Sequence, residues 1–139
     1  MNSIRIINMR SLVDTGKIDL KPINMLVGSN SSGKSTFLRV FPLLKQSLYR
    51  RINGPIFWAG DEKDYVDFGS YKETINKGVS EKESYIGLEF SIPYTLYEIA
   101  RYSYSSSRVK NMPKKEAKIK IEISNKGNIV MIYGHIHQG

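Results

Sequence analysis

Apolar residues recur along the chain with two different spacings, and the switch between them divides it. Ser3-Ile4-Arg5-Ile6-Ile7-Asn8 reads as a first strand. Met9-Arg10-Ser11-Leu12 follows, and Asp14-Thr15-Gly16 supplies turn formers ahead of Lys17-Ile18-Asp19-Leu20. The polar–apolar alternation of that last tetrapeptide predicts a half-buried strand returning from a hairpin. Pro22 opens Ile23-Asn24-Met25-Leu26-Val27, which predicts a short buried strand, proline being tolerated at a strand's first residue. From Ser35 to Arg51 the spacing turns helical. Phe37, Leu38, Phe41, Leu44 and Leu48 share one face, flanked by Val40 and Leu43. Arg39, Lys45 and Arg50 fall mostly elsewhere, and Gln46 reads as a helix-surface residue. Pro42 deletes one helical hydrogen bond, so a bent helix is expected rather than two helices. Asn53-Gly54-Pro55 breaks the pattern.

Beyond residue 56 the period becomes two. Ile56-Phe57-Trp58-Ala59 is a candidate strand, followed by the acidic turn Gly60 to Asp64 and the short aromatic run Tyr65 to Tyr71. Lys72 to Glu81 has room for a helical turn. Ser84 to Ile92 places Ile86, Leu88, Phe90 and Ile92 on one face, and Lys118 to Ile123 alternates as cleanly. Asn125-Lys126-Gly127-Asn128 predicts a hairpin turn into Ile129 to Tyr133. These segments predict an antiparallel sheet. The expected organisation is one partial domain over 1–139: a hairpin, loop and first helix in 1–51, then an antiparallel β subdomain in 52–139 with a Tyr/Ser-rich basic loop at about 93–116.

Between Ile23–Val27 and the helix stands Gly28-Ser29-Asn30-Ser31-Ser32-Gly33-Lys34-Ser35-Thr36, a full match to the phosphate-loop pattern G-x-x-x-x-G-K-S/T. Composition puts a chance match in well under about 1% of chains this long, and the strand-before, helix-after setting lowers that further. Gly28 lets the chain turn sharply out of a strand, and Gly33 lets backbone approach a phosphate with no Cβ between. The amides of residues 29 to 35 then form an anion-binding concavity at the positive end of the helix. Lys34 adds a mobile full charge for the β- and γ-phosphates, and the Ser35 hydroxyl is placed to ligate Mg²⁺. The expected ligand is a nucleoside triphosphate with magnesium; the loop alone does not choose between ATP and GTP.

Composition narrows the classes. The chain has 139 residues and no cysteine, which removes disulfides and thiolate metal sites. The longest apolar run, Ile129 to Tyr133, is far too short for a membrane span, and a cytoplasmic protein is expected. Net charge is +8, unevenly spread: residues 1–51 carry nine Lys/Arg against two acids, residues 52–100 four against nine, and residues 101–139 eight against two. The first surplus suits a polyanionic nucleotide. The last follows Tyr94, Tyr97, Tyr102 and Tyr104 and includes Arg108, Lys110, Lys114, Lys115, Lys118 and Lys120, which supports nucleic-acid contact through residues 108–120 as an alternative to a solvated surface loop. His135 and His137 share a strand face but have no third ligand near in sequence.

The stretch Leu20 to Arg39 resembles the start of the ABC-type ATPase heads of the SMC, RecF and OLD group, widely described as AAA-family ATPases. Leu43-Leu44-Lys45-Gln46-Ser47-Leu48 and Tyr65-Val66-Asp67-Phe68-Gly69-Ser70-Tyr71 resemble a bacterial branch of that group, many of whose members are linked to phage defence; Pro42 departs from its usual leucine. The resemblance covers roughly residues 3 to 92. It implies an α/β P-loop NTPase, the N-terminal lobe of an ABC-type ATPase head, with a mixed sheet around the P-loop helix plus the antiparallel subdomain. It implies ATP and Mg²⁺ as ligands, Arg10 near the nucleotide, mainly backbone amides from Asn30 and Ser32, and a Thr36 contact to the α-phosphate. It also implies heads that dimerise around two ATP molecules.

Hydrolysis in that group needs an apolar run ending in Asp-Glu to hold Mg²⁺ and polarise water. Leu88-Glu89 and Ile121-Glu122 lack that run, and no signature loop or switch histidine is found. The expectation is an ATP-binding lobe whose hydrolysis requires a C-terminal half and dimerisation. Gln138, after a strand, is a candidate for the Mg²⁺-contacting glutamine. The alternatives are a nucleic-acid or partner-binding module that uses nucleotide as a switch, and a small P-loop kinase. The kinase would need parallel strands with helical crossovers after the helix.

Overall fold

A computed structural model describes residues 1–49, 54–80, 84–94, 115–124 and 127–135, and for residue 115 and residues 127–135 it describes the backbone. In chain order the elements are β1 (Ser3–Met9), β2 (Leu12–Asp14), β3 (Ile18–Asp19), α1 (Lys34–Tyr49), α2 (Tyr71–Thr74), β4 (Tyr85–Tyr94), β5 (Lys115–Ser124) and β6 (Gly127–His135). The strands form one sheet in the order β2-β1-β4-β5-β6, with β3 also paired to β1. Every pairing among the described strands is antiparallel. An antiparallel sheet is therefore as expected, though it takes in β1, β2 and β3 of the first 51 residues as well; the expected mixed sheet is not seen, since no parallel partner is present among the described residues.

The first reversal lies earlier than expected. Met9 pairs with Leu12 and Ile7 with Asp14, so the chain turns at Arg10-Ser11. β3 then continues along the same edge of β1, Ile18 opposite Ile4 and Asp19 opposite Ser3. Asp14-Thr15-Gly16 is an interruption within the returning strand, bridged by Thr15 N–H donating to Ile6 O and Ile6 N–H donating to Thr15 Oγ1, each at 3.0 Å. Asn8 and Arg10 take positive φ of 55° and 51°, a conformation that a sequence without glycine there does not announce.

Strand alternation sends Ile4 and Ile6 of β1, Ile86 and Leu88 of β4, and Ile121 and Ile123 of β5 to one face, where Phe37, Val40 and Leu43 of α1 pack on them. Burial of each such side chain contributes about 1.5–3 kcal/mol. The opposite face is polar and charge-matched. Arg5 forks onto Asp14 through Nε and Nη2 at 2.9 and 2.7 Å, and Lys120 reaches Glu122 at 2.7 Å.

Three expectations, two apolar and one polar, fail for one reason, the direction in which α1 faces. The helix is continuous through Pro42, but its inward stripe runs Phe37, Val40, Leu43, Gln46. Leu48 is turned away and 83% exposed, while Gln46, expected at the surface, is 2% exposed. Ile56–Ala59 is not a strand; Ile56 is buried, and Phe57 is held by Gln46 and Ser47 of the helix instead of by a neighbouring strand.

The largest correction concerns Ile23 to Val27. It is not a strand and joins no ladder among the described residues, and Ile23, Met25 and Val27 are 88%, 83% and 82% exposed. Only Leu26 packs against the core. The run has the apolar composition of a buried strand, but no strand among the described residues lies alongside it to make it one. Among the described residues no helix is long and apolar enough to cross a membrane.

Candidate functional site

The loop Gly28 to Gly33 carries the chain from the Ile23–Val27 segment into α1. Gly28 and Gly33 adopt φ of 151° and 92°, and Ser31 adopts 66°. A Cβ on Gly28 would sit 2.9 Å from Ser32 Oγ, a hydroxyl that can rotate aside, so the glycine is needed for its conformation. Gly33 ends the loop at the helix start, its carbonyl accepting from Phe37 N–H at 2.8 Å. The first-turn amides of Lys34, Ser35 and Thr36 have no intrahelical acceptor and carry the positive end of the helix dipole.

Lys34 lies back across its own loop. Its Nζ donates to Gly28 O at 2.7 Å, to Ser29 O, and to Ser32 Oγ at 3.2 Å. The ammonium is thereby held over the mouth of the loop, where an incoming phosphate would replace those carbonyls as its partner. Ser29, Asn30, Ser31, Ser32 and Ser35 are exposed, whereas Thr36 is buried. The Ser35 hydroxyl is open to solvent beside Lys34, as a Mg²⁺ ligand must be. Thr36 offers a ligand only its backbone amide, since its side chain faces the core. Among the described residues no cluster of three or more His, Asp or Glu gathers to hold a metal, so a magnesium ion here would depend on Ser35 and the phosphates.

The β1–β2 turn closes one side of the loop. A Cβ on Gly33 would fall inside the Leu12 side chain and 3.2 Å from Ser11 Oγ. The second glycine of the motif is therefore favoured by protein packing in its own right. Arg10, adjacent to Ser11, lays its guanidinium 4.6 Å from the Phe68 ring centroid and donates to Phe68 O at 3.4 Å. Arg39 of α1 stands 5.2 Å from the same ring and donates to Asp67 O at 3.1 Å. Ser11 and Leu12 of this turn thus lie against Gly33, while the Arg10 guanidinium is turned onto Phe68.

Sequence reasoning missed Leu12, Phe68, Thr74 and Asn76 as parts of this region. Two local signals were visible. Ser70-x-x-Glu73 is a helix-start pattern, and Glu73 accepts from Ser70 N–H and Oγ at 2.7 and 2.8 Å. Asn76-Lys77-Gly78 is a turn, with Gly78 N–H donating to Asn76 Oδ1 at 2.8 Å.

Other expectations separate from this site. Arg108, Lys110, Lys114, His137 and Gln138 lie outside the described residues, as do the side chains of Lys115 and His135. Lys118 and Lys120 project from the sheet face away from α1. There Lys120 is bound to Glu122, 2.7 Å away, and lies 3.9 Å from Glu89; its pKa is raised chiefly by the Glu122 hydrogen bond. That neutralisation weakens its part in a polyanion-binding surface.

A family model described as an AAA ATPase domain matches residues 1–133. No curated protein and no solved structure matched the chain.

Proposed function

Because the chain belongs to the AAA ATPase domain family, we propose that it binds ATP with magnesium as the N-terminal lobe of an SMC/RecF/OLD-like ATPase head. The observation that carries this reading is the loop itself: Lys34 poised across an exposed Gly28–Gly33 turn, with the free first-turn amides and the Ser35 hydroxyl beside it. Lys34 and the amides of residues 29 to 35 hold the phosphates, Ser35 holds Mg²⁺, Thr36 contributes its amide and Arg10 approaches from the flank. The base is taken as adenine on the family description.

Turnover is assigned to elements beyond this lobe. A strand that is apolar on both faces belongs in the interior of a parallel sheet, covered on each side. Ile23 to Val27 has that composition, with one face open and its backbone unpaired, which supports completion by strands of a C-terminal half that also brings the acidic pair needed for hydrolysis. Head-to-head dimerisation around two nucleotides is part of the same proposal, and the phage-defence link of the resembling branch is its pathway-level extension.

The test is Mg²⁺-dependent ATP binding by wild type and Lys34→Ala, with phosphate release followed in the same samples. Binding without turnover in wild type, lost in Lys34→Ala, is expected. Failure of wild type to bind any triphosphate would sink the reading for this chain.

A further inference from the structure

We propose that Phe68, Thr74 and Asn76 form a cradle that positions Arg10 for the ligand of the phosphate loop, acting on that ligand only through Arg10. The inference rests on the reading that Gly28–Thr36 holds a nucleoside triphosphate.

Arg10 is held on every side. Its N–H donates to Thr74 O at 2.6 Å, and its carbonyl accepts from Asn76 Nδ2 at 2.6 Å. Its guanidinium donates to Phe68 O and covers the Phe68 ring. The neighbours are fastened too: Met9 bridges Ile75, and Asn8 O accepts from Asn76 N–H at 2.9 Å. The cradle is itself rigid. Phe68 is 1% exposed and Thr74 fully buried, with Thr74 Oγ1 donating to Phe68 O at 3.0 Å and to Ser70 O at 2.9 Å.

This restraint is spent on a residue poorly suited to its backbone. Arg10 sits at φ 51°, where glycine or asparagine would be comfortable. A strained residue fixed from several directions at once marks a place where position matters more than stability. The charge arrangement agrees. Arg10 and Arg39 share one ring, and among the described residues no carboxylate lies within ion-pair distance of either. The carboxylate whose field Arg10 does modify, Glu73, is committed to Ser70. Arg10 also lines an open hollow with Glu73, Asn76 and Lys77, so part of its surface is not covered by packing. A stacked cation with no ion pair among the described residues, on a turn whose next two residues touch Gly33, is a charge available to an anion.

The test is a double-mutant cycle on the full chain, with Mg·ATP titrated calorimetrically. Arg10→Gly removes the guanidinium while relieving the backbone. Asn76→Asp keeps the acceptor for Gly78 N–H and removes the donor to Arg10 O. Each single variant is expected to weaken Mg·ATP binding about tenfold, the size of one charge-assisted contact. The double variant should bind no more weakly than Arg10→Gly alone, because Asn76 acts through Arg10. Thermal unfolding should show Arg10→Gly at least as stable as wild type. Should Asn76→Asp fail to fold, Phe68→Leu, which keeps apolar volume but removes the ring face, takes its place in the cycle. Binding by Asn76→Asp equal to wild type, losses that add in the double variant, or wild-type binding by Arg10→Gly would each overturn the inference while leaving the nucleotide reading intact. Absence of Mg·ATP binding by wild type overturns that reading, and the inference with it.

Discussion

Gln46 and the backbone of Val66 exchange two hydrogen bonds, Gln46 Nε2 donating to Val66 O at 2.9 Å and Val66 N–H donating to Gln46 Oε1 at 3.0 Å. The same Nε2 donates to Phe57 O at 2.9 Å. One side chain thus acts as the edge of a strand would, pairing both polar groups of Val66 and tying the 56–58 segment to it. This is why a chain expected to form a strand at Ile56–Ala59 settles as an irregular layer on the helix.

Gln46→Leu preserves bulk but leaves Val66 N–H, Val66 O and Phe57 O without that partner. Unpaired buried backbone groups cost about 1–3 kcal/mol each, reduced where water can enter. A loss of roughly 3 kcal/mol in urea unfolding is expected. A change below about 0.5 kcal/mol would show that the clamp is dispensable.

Gly33 is bound twice over, by its φ of 92° and by Leu12 against its α-carbon. Gly33→Ala should abolish Mg·ATP binding and lower stability by about 1–3 kcal/mol. Adding Leu12→Ala should recover part of the stability relative to Gly33→Ala, by relieving the clash, without recovering binding. If the second substitution gives no recovery, the contact is not the source of the strain.

The Arg5–Asp14 pair predicts an acid-range signature. Asp14 is held down to about 2 from an ordinary 3.8, chiefly by the hydrogen bond from Arg5, with Gly16 N–H adding to it. A carboxylate with a depressed folded pKa stabilises fully above its unfolded value and loses that contribution as pH falls through the folded one. Asp14→Asn should therefore be less stable than wild type at pH 5, and the gap in melting temperature should close as pH falls toward 2. Parallel curves over that range would remove Asp14 as a titrating contributor. The pair is part-exposed, so the gap should be small and should shrink with salt.

Ile23, Met25 and Val27 are exposed in this chain, so Met25→Gln should change its stability by no more than about 0.5 kcal/mol. The same substitution should reduce concentration-dependent self-association, since it interrupts an apolar, unpaired edge. Stability falling by several times that amount would mean the segment is already covered in solution.

The phosphate loop was legible from residues alone because its function needs backbone conformation at fixed spacing, and only particular residue types satisfy that. The strands β1, β4 and β5 were legible for a similar reason, since period-two alternation is a local consequence of the pleat. What local pattern does not encode is which apolar face finds a partner. Leu48 and Gln46 are two positions apart on one helix, and hydrophobicity alone assigns them the wrong way round. The carbonyls of Phe57 and Val66, distant in sequence, decide that the amide goes inside. Ile23 to Val27 has the apolar composition of a buried strand, yet a strand exists only when another lies beside it. The positive φ of Arg10, its stack on Phe68 and the hold of Asn76 likewise arise where residues 8–12 meet residues 68–76. These are contacts across more than fifty positions of chain, and only the tertiary structure brings them together.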